Sequence, residues 1–167
     1  FWSAFVEEAV KYIVVYFVIV HRPEFDEPVD AMIYMVTAGL GFAAIENILV
    51  MFRNIPDGYT LTLQVLALRS VGATLLHALT SGLIGYFLAL SWFHFKHSRK
   101  LVWCGLGFAT LFHFAFNYIL LNFSAFEGLL VSMLLLGIAL FLILLLFAKL
   151  KDRSPSKLST RFTRNVI

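Results

Sequence analysis

The chain has 167 residues, 60% of them hydrophobic, and a mean hydropathy of +0.87, which excludes an ordinary soluble globular domain and marks an integral membrane protein. That length holds about five spans of roughly 20 residues and leaves little for a soluble domain. The net charge of +3 comes mainly from the C-terminal tail, which points to membrane topology and away from nucleic acid, and the single cysteine, Cys104, excludes an internal disulfide.

Taken in order, the hydropathy pattern predicts an all-α, polytopic helix bundle. Residues 1–20 form a first helix that carries Glu7, Glu8 and Lys11 in an otherwise apolar run. The chain starts at Phe1 with no Met and no basic flank, from which a trimmed or disordered N-terminus is expected rather than a signal peptide. A polar loop over 21–30 contains Pro23 and Pro28. The second helix, 30–52, carries Ala38, Gly39, Gly41, Ala43 and Ala44, small residues that let membrane helices approach closely, so it is expected at the centre of the bundle. A loop over 53–64 turns at Pro56-Asp57-Gly58. The third helix, 65–95, is long enough to be tilted or kinked. A basic loop, 96–100, leads to a fourth helix over 101–121, a turn over 122–128, and a fifth helix over 129–147. Residues 1–148 thus make a transmembrane domain and 149–167 a basic tail, expected to be disordered or to lie on the membrane surface.

The basic loop at 96–100 and the tail fall on the same side of a five-span bundle, so that side is expected to be cytoplasmic. At 1.5 Å per residue, Glu46, His77, His113 and Asn117 then lie in the outer half of the bilayer, within about 15 Å of one another in depth. Glu7 and Glu8 join the same layer from the first helix. Delivery of polar groups to one level by four helices says more than any one of them.

A carboxylate within a bilayer costs at least a few kcal/mol, so it calls for a task or a partner. On a helix, Lys11 stands four residues after Glu7 and three after Glu8 and reaches either one. The bland reading is an interfacial charge cluster. The functional one is a buried carboxylate that activates water while its neighbour pairs with Lys11. Glu46, followed by Asn47, pairs structurally with Arg69 or Lys11 in the bland reading and acts as a second acid in the other. His77 and Ser81, like His113 and Asn117, stand four residues apart and share a helix face. A lone histidine in a helix is most often a hydrogen-bonded core residue, but His113 with Asn117 can also donate to a developing oxyanion. Together with the glutamates they form a set suited to hydrolytic water activation.

The residues Glu7-Glu8-x-x-Lys11, then Phe25, Glu27, Pro28, Asp30 and Tyr34, then Gly41-Phe42-Ala43 with Glu46-Asn47, then His77-Ala-Leu-Thr-Ser81-Gly82, then His113 with Asn117, resemble the PrsW family of intramembrane proteases from Glu7 to Asn117. A more distant resemblance is to the CAAX prenyl proteases and bacteriocin-immunity group. There a histidine stands where Phe42-x-x-x-Glu46 has glutamate, which weakens direct transfer of the prenyl-protease mechanism.

The resemblance implies a prokaryotic cell-membrane protease that makes the first, outward-side cut in a single-pass, membrane-anchored substrate such as an anti-sigma factor. Two mechanisms stay open. In the glutamic one, Glu7 or Glu8 with Glu46 activates water and His77, His113 and Asn117 polarise the carbonyl, with no cofactor. In the other, Glu8, Glu46, His77 and His113 hold Zn²⁺. Lys11, Asn47, Arg69 and Ser81 are supporting residues. A proton- or ion-coupled transporter would also place Glu and His at mid-membrane, but no repeat of helix scale is present. A haem held by His77 and His113 leaves the glutamates unexplained.

Overall fold

The computed structural model describes residues 1–93 and 95–152, the side chain of residue 95 excepted. The described residues form five long helices and no strand: α1 (Trp2–Val18), α2 (Pro28–Asn54), α3 (Tyr59–Phe93), α4 (Ser98–Asn122) and α5 (Ala125–Lys151). Four of them, α2 to α5, are long and apolar enough to cross a membrane. The fifth expected span, α1, has 17 residues, about 25 Å, and carries three charges; it falls short of a hydrocarbon core of about 30 Å. Its buried stripe of Ala4, Glu8, Lys11 and Val15 packs it against α2, α3 and α4.

The ends of the helices follow from local chemistry. Glu27 is the N-cap of α2, Pro28 takes the first helical position, and Asp30 Oδ2 accepts the backbone N–H groups of Glu27 at 2.8 Å and Asp26 at 3.2 Å. The Glu-Pro-x-Asp part of the motif is therefore a helix start. The loop expected over 53–64 is far shorter. Helix α2 runs on to Asn54, a 3₁₀ turn covers Ile55–Asp57, and Gly58, at φ +108°, reverses the chain directly into α3. Polarity in that stretch marked the turn but not its length. Helix α4 opens at Ser98, so Arg99 and Lys100 sit in its first turn. Helix α5 opens earlier than expected because Ser124 caps it, its Oγ accepting from Glu127 N at 3.4 Å and donating to the Glu127 carboxylate at 2.9 Å. The same helix continues to Lys151, and the rest of the expected basic tail, 153–167, lies outside the described residues.

The central helix is α3, not α2: it touches all four other long helices. The small residues of α2 serve a different end, a close crossing with α3. A Cβ at Gly39 would stand 2.6 Å from the His77 carbonyl oxygen, and one at Gly85 of α3 would stand 2.6 Å from the Ala31 carbonyl oxygen and from Met32 Cα. Apolar clusters hold the rest. Phe25, Met32, Leu88 and Leu150 pack at the α3–α4 turn end, where Phe25 meets Trp92 edge-on at 5.0 Å. Val15, Met35, Ile84 and Leu106 fill the middle. Leu76, Leu79, Phe116 and Leu136 pack beyond them, toward the end that carries the polar groups.

Because the atoms facing Gly85 are backbone, Gly85→Ala is expected to cost about 1–3 kcal/mol. Gly107→Ala, where nothing lies within 4 Å, is expected to leave stability unchanged or slightly raised. Thermal unfolding of both variants in the same detergent measures the difference.

Candidate active site

A continuous chain of polar contacts crosses four helices. Glu8 is fully buried and Lys11 only 2% exposed. The Lys11 ammonium donates to Glu8 Oε1 at 2.7 Å, His77 Nδ1 at 3.1 Å and Thr80 Oγ1 at 3.5 Å. On one side the chain continues through Glu8, whose Oε1 also accepts from His113 Nδ1 at 2.7 Å. On the other it continues through His77, whose Nε2 donates to Glu46 Oε2 at 2.8 Å. Glu46 Oε1 pairs with Arg69 at 2.9 Å, Arg69 Nε donates to Asn47 Oδ1 at 3.1 Å, and Asn47 Nδ2 donates to Thr74 Oγ1 at 3.2 Å. Phe42 lies over the ammonium at 5.4 Å and against the His77 ring at 5.3 Å, a cation–π contact that helps offset desolvation.

Glu7 is next to Glu8 in sequence but about 100° away around α1. It faces a cleft of about 390 Å³ whose polar wall is Glu7, Glu46, Arg69, His77, His113 and Asn117. Leu76 and Phe116, with Leu129 and Met133 of α5, form the apolar wall. Glu7 Oε2 stands 3.7 Å from His113 Nε2, too far for a direct hydrogen bond, and both atoms face the cleft.

Most of the residues expected from the sequence meet here. Glu7, Glu46, His77, His113, Asn117 and Arg69 line the cleft; Glu8 and Lys11 are sealed behind it. Asn47 joins the Arg69 latch at the cleft's edge. Ser81 is buried at the α2–α3 crossing, against Gly39, and does not line the cleft. The expected ligand quartet of Glu8, Glu46, His77 and His113 does not converge as such. Among the described residues, the group whose ligand atoms come within 4.8 Å of one another is Glu7, His77 and His113. Glu8 instead spends one oxygen on both Lys11 and His113. Thr80, Thr74 and Phe42 were given no role by the sequence. Thr80 stands three residues after His77 and so shares its helix face, the one signal that pointed to it.

A family model described as "PrsW family intramembrane metalloprotease" matches residues 1–148. The chain belongs to the PrsW family. Relatives named Protease PrsW include one from Geobacillus kaustophilus, 34% identical over 119 residues, covering 71% of this chain and 50% of that protein. Another, from Oceanobacillus iheyensis, is 33% identical over 136 residues, covering 81% of this chain and 60% of that protein. A third, from Bacillus subtilis, is 27% identical over 123 residues, covering 73% and 53%. The chain therefore spans little more than half the length of these curated relatives. No solved structure is significantly similar to it.

The family's description implies a metal, and the donors of this PrsW member fit zinc in kind, since one carboxylate and two imidazoles are a known catalytic zinc set. His113 suits that role in full: its Nδ1 is tied to Glu8, which leaves Nε2 for the cleft. His77 suits it less, because Lys11 and Glu46 occupy both of its nitrogens.

The two neighbouring glutamates differ sharply in structural weight. Glu8→Ala strands the Lys11 ammonium and the His113 Nδ1–H in the interior and is expected to cost about 3–5 kcal/mol, losing most folded protein in detergent. Glu7→Ala, with a side chain 26% exposed and no such dependants, is expected to stay within about 0.5 kcal/mol of wild type.

Proposed function

We propose that this chain carries the catalytic centre of an intramembrane protease that hydrolyses a peptide bond of a single-pass, membrane-anchored protein, an anti-sigma factor being the class of substrate in view. The observation that carries the reading is the 3.7 Å gap between Glu7 Oε2 and His113 Nε2 on the wall of a half-polar, half-apolar cleft. Both atoms are acceptors when His113 is protonated on Nδ1, as its contact with Glu8 requires. A water seated on the cleft side of this pair donates one hydrogen to each, through bent hydrogen bonds, and turns a lone pair toward the cleft.

Attack on a scissile carbonyl forms the new C–O bond and passes the water's proton to Glu7 or His113. The same group returns that proton to the amine as the C–N bond breaks, so the site ends as it began. The Asn117 amide, on the same wall, donates to the developing oxyanion. The apolar wall of Leu76, Phe116, Leu129 and Met133 suits an unwound stretch of a membrane helix. Glu46 does not serve as the base, because Arg69 and His77 occupy its two oxygens.

A second reading is favoured by the convergence of Glu7, His77 and His113. These three would hold Zn²⁺, which supplies a bound water ionising near neutral pH and a Lewis acid for the carbonyl. The glutamic reading is preferred because His77 is hydrogen-bonded on both nitrogens.

Cleavage of a single-pass substrate reconstituted in the same bilayer tests the proposal. Glu7→Gln is expected to lose about 10²–10⁴ in turnover and Asn117→Ala about 10²–10³, with substrate still bound. Wild-type turnover by Glu7→Gln removes Glu7 as the base. Full activity in protein shown to be metal-free sinks the zinc reading, and stoichiometric zinc lost together with activity in His113→Asn sinks the glutamic one.

Topology follows from the basic turn between α3 and α4, where Lys96, Arg99 and Lys100 are exposed. With that turn cytoplasmic in a bacterial cell membrane, the cleft opens in the outer half. Because Cys104 is exposed, the test is made in a Cys104→Ser background. A cysteine introduced by Ser98→Cys is expected to resist an impermeant thiol reagent in intact cells and to react after lysis. Prompt labelling in intact cells inverts the topology.

A further inference from the structure

We infer that the Lys11–Glu8 ion pair sorts the two histidines of the cleft into opposite tautomers, so that only His113 presents a lone pair to substrate and water. The kinetic part of this inference rests on the protease reading above; the structural part does not.

Donors and acceptors around Lys11 balance in one way. An ammonium has three N–H donors and no acceptor. Around Lys11 Nζ the interior supplies three acceptors: Glu8 Oε1 at 2.7 Å, His77 Nδ1 at 3.1 Å and Thr80 Oγ1 at 3.5 Å. The side chain is 1% exposed, so solvent offers no substitute. His77 Nδ1 must therefore offer its lone pair, and the ring proton resides on Nε2, where Glu46 Oε2 accepts it at 2.8 Å. Thr80 cannot take over from Lys11, because its hydroxyl proton is donated to the His77 carbonyl at 3.2 Å.

On the other side of the pair the sign is reversed. Glu8 is acceptor-only, and its Oε1 at 2.7 Å holds His113 Nδ1 as a donor. Nε2 is then the unprotonated nitrogen, and it faces Glu7. The two rings stand 5.1 Å apart at 80°, on neighbouring helices, with nearly equal burial. What separates them is that a cation meets Nδ1 of one and an anion meets Nδ1 of the other.

Lys11 is thus a positioning residue that acts through His77. It keeps His77 from serving as a second base and from turning its ring, and it leaves the cleft with one basic nitrogen.

The test is ¹⁵N NMR of histidine-labelled protein in bilayers, with the resonances of His77 and His113 assigned through His77→Asn and His113→Asn. In the wild type, His77 is expected as the Nε2–H tautomer and His113 as the Nδ1–H tautomer. The same tautomer at both, or Nδ1 protonated at His77, overturns the inference with no variant of Lys11 needed. Lys11→Met is then expected to change the His77 pattern and leave that of His113 in place. Its kcat is expected to fall about 10- to 100-fold at unchanged KM, with substantial recovery in Lys11→Arg. A folded Lys11→Met protein with an unaltered His77 spectrum also overturns it. Opposite tautomers in a protein that cleaves no membrane substrate would leave the sorting standing and remove the protease reading instead.

Discussion

A charged pair closed off from solvent constrains everything around it. Glu8 and Lys11 lie one turn apart on α1, both almost fully buried, in a chain whose other buried residues are mainly apolar. The pair is held by the groups that take up the Lys11 donors and share Glu8 Oε1. The partners come from three other helices: His77 and Thr80 from α3, His113 from α4, and Glu46 of α2 through His77. The close crossing of α2 on α3 at Gly39 brings Glu46 within reach of His77, and the central position of α3 lets one residue touch both halves of the network. Packing and polar satisfaction therefore specify the same arrangement.

This constraint also divides labour between two adjacent glutamates. A step of one residue turns about 100° around a helix, enough to put Glu8 in the sealed interior and Glu7 on the cleft wall. The buried one holds both Lys11 and His113 through its Oε1. The partly exposed one has an oxygen to spare, opposite the free nitrogen of His113. On the proposed reading, catalysis needs a group that is held in place and another that is free to exchange a proton, and the pair would supply both.

Helix number, the polar layer and the identity of most polar cleft residues were legible in the sequence, because charges and histidines in apolar runs stand out and their relative depths follow from residue counts. Three features were not. The roles of Glu7 and Glu8 depend on the rotation of α1 about its axis, which only its packing against α2, α3 and α4 determines. The central place of α3 was hidden by the small residues of α2, which signal a close neighbour but not how many neighbours there are. Thr80, Thr74 and Phe42 have the composition of ordinary membrane-helix residues and gain their roles only from the position of Lys11 and Asn47. Ser81 shows the converse: it shares the face spacing of His77, yet the α2 crossing covers it.

The central claim is that Glu7 and His113 act on one water as a unit. A double-mutant cycle on single-turnover cleavage addresses it most directly, using Glu7→Gln, His113→Asn and the double variant at equal folded concentration. The account predicts strong non-additivity, with the double variant no slower than the worse single one. Losses that multiply, so that each residue contributes independently of the other, would contradict it.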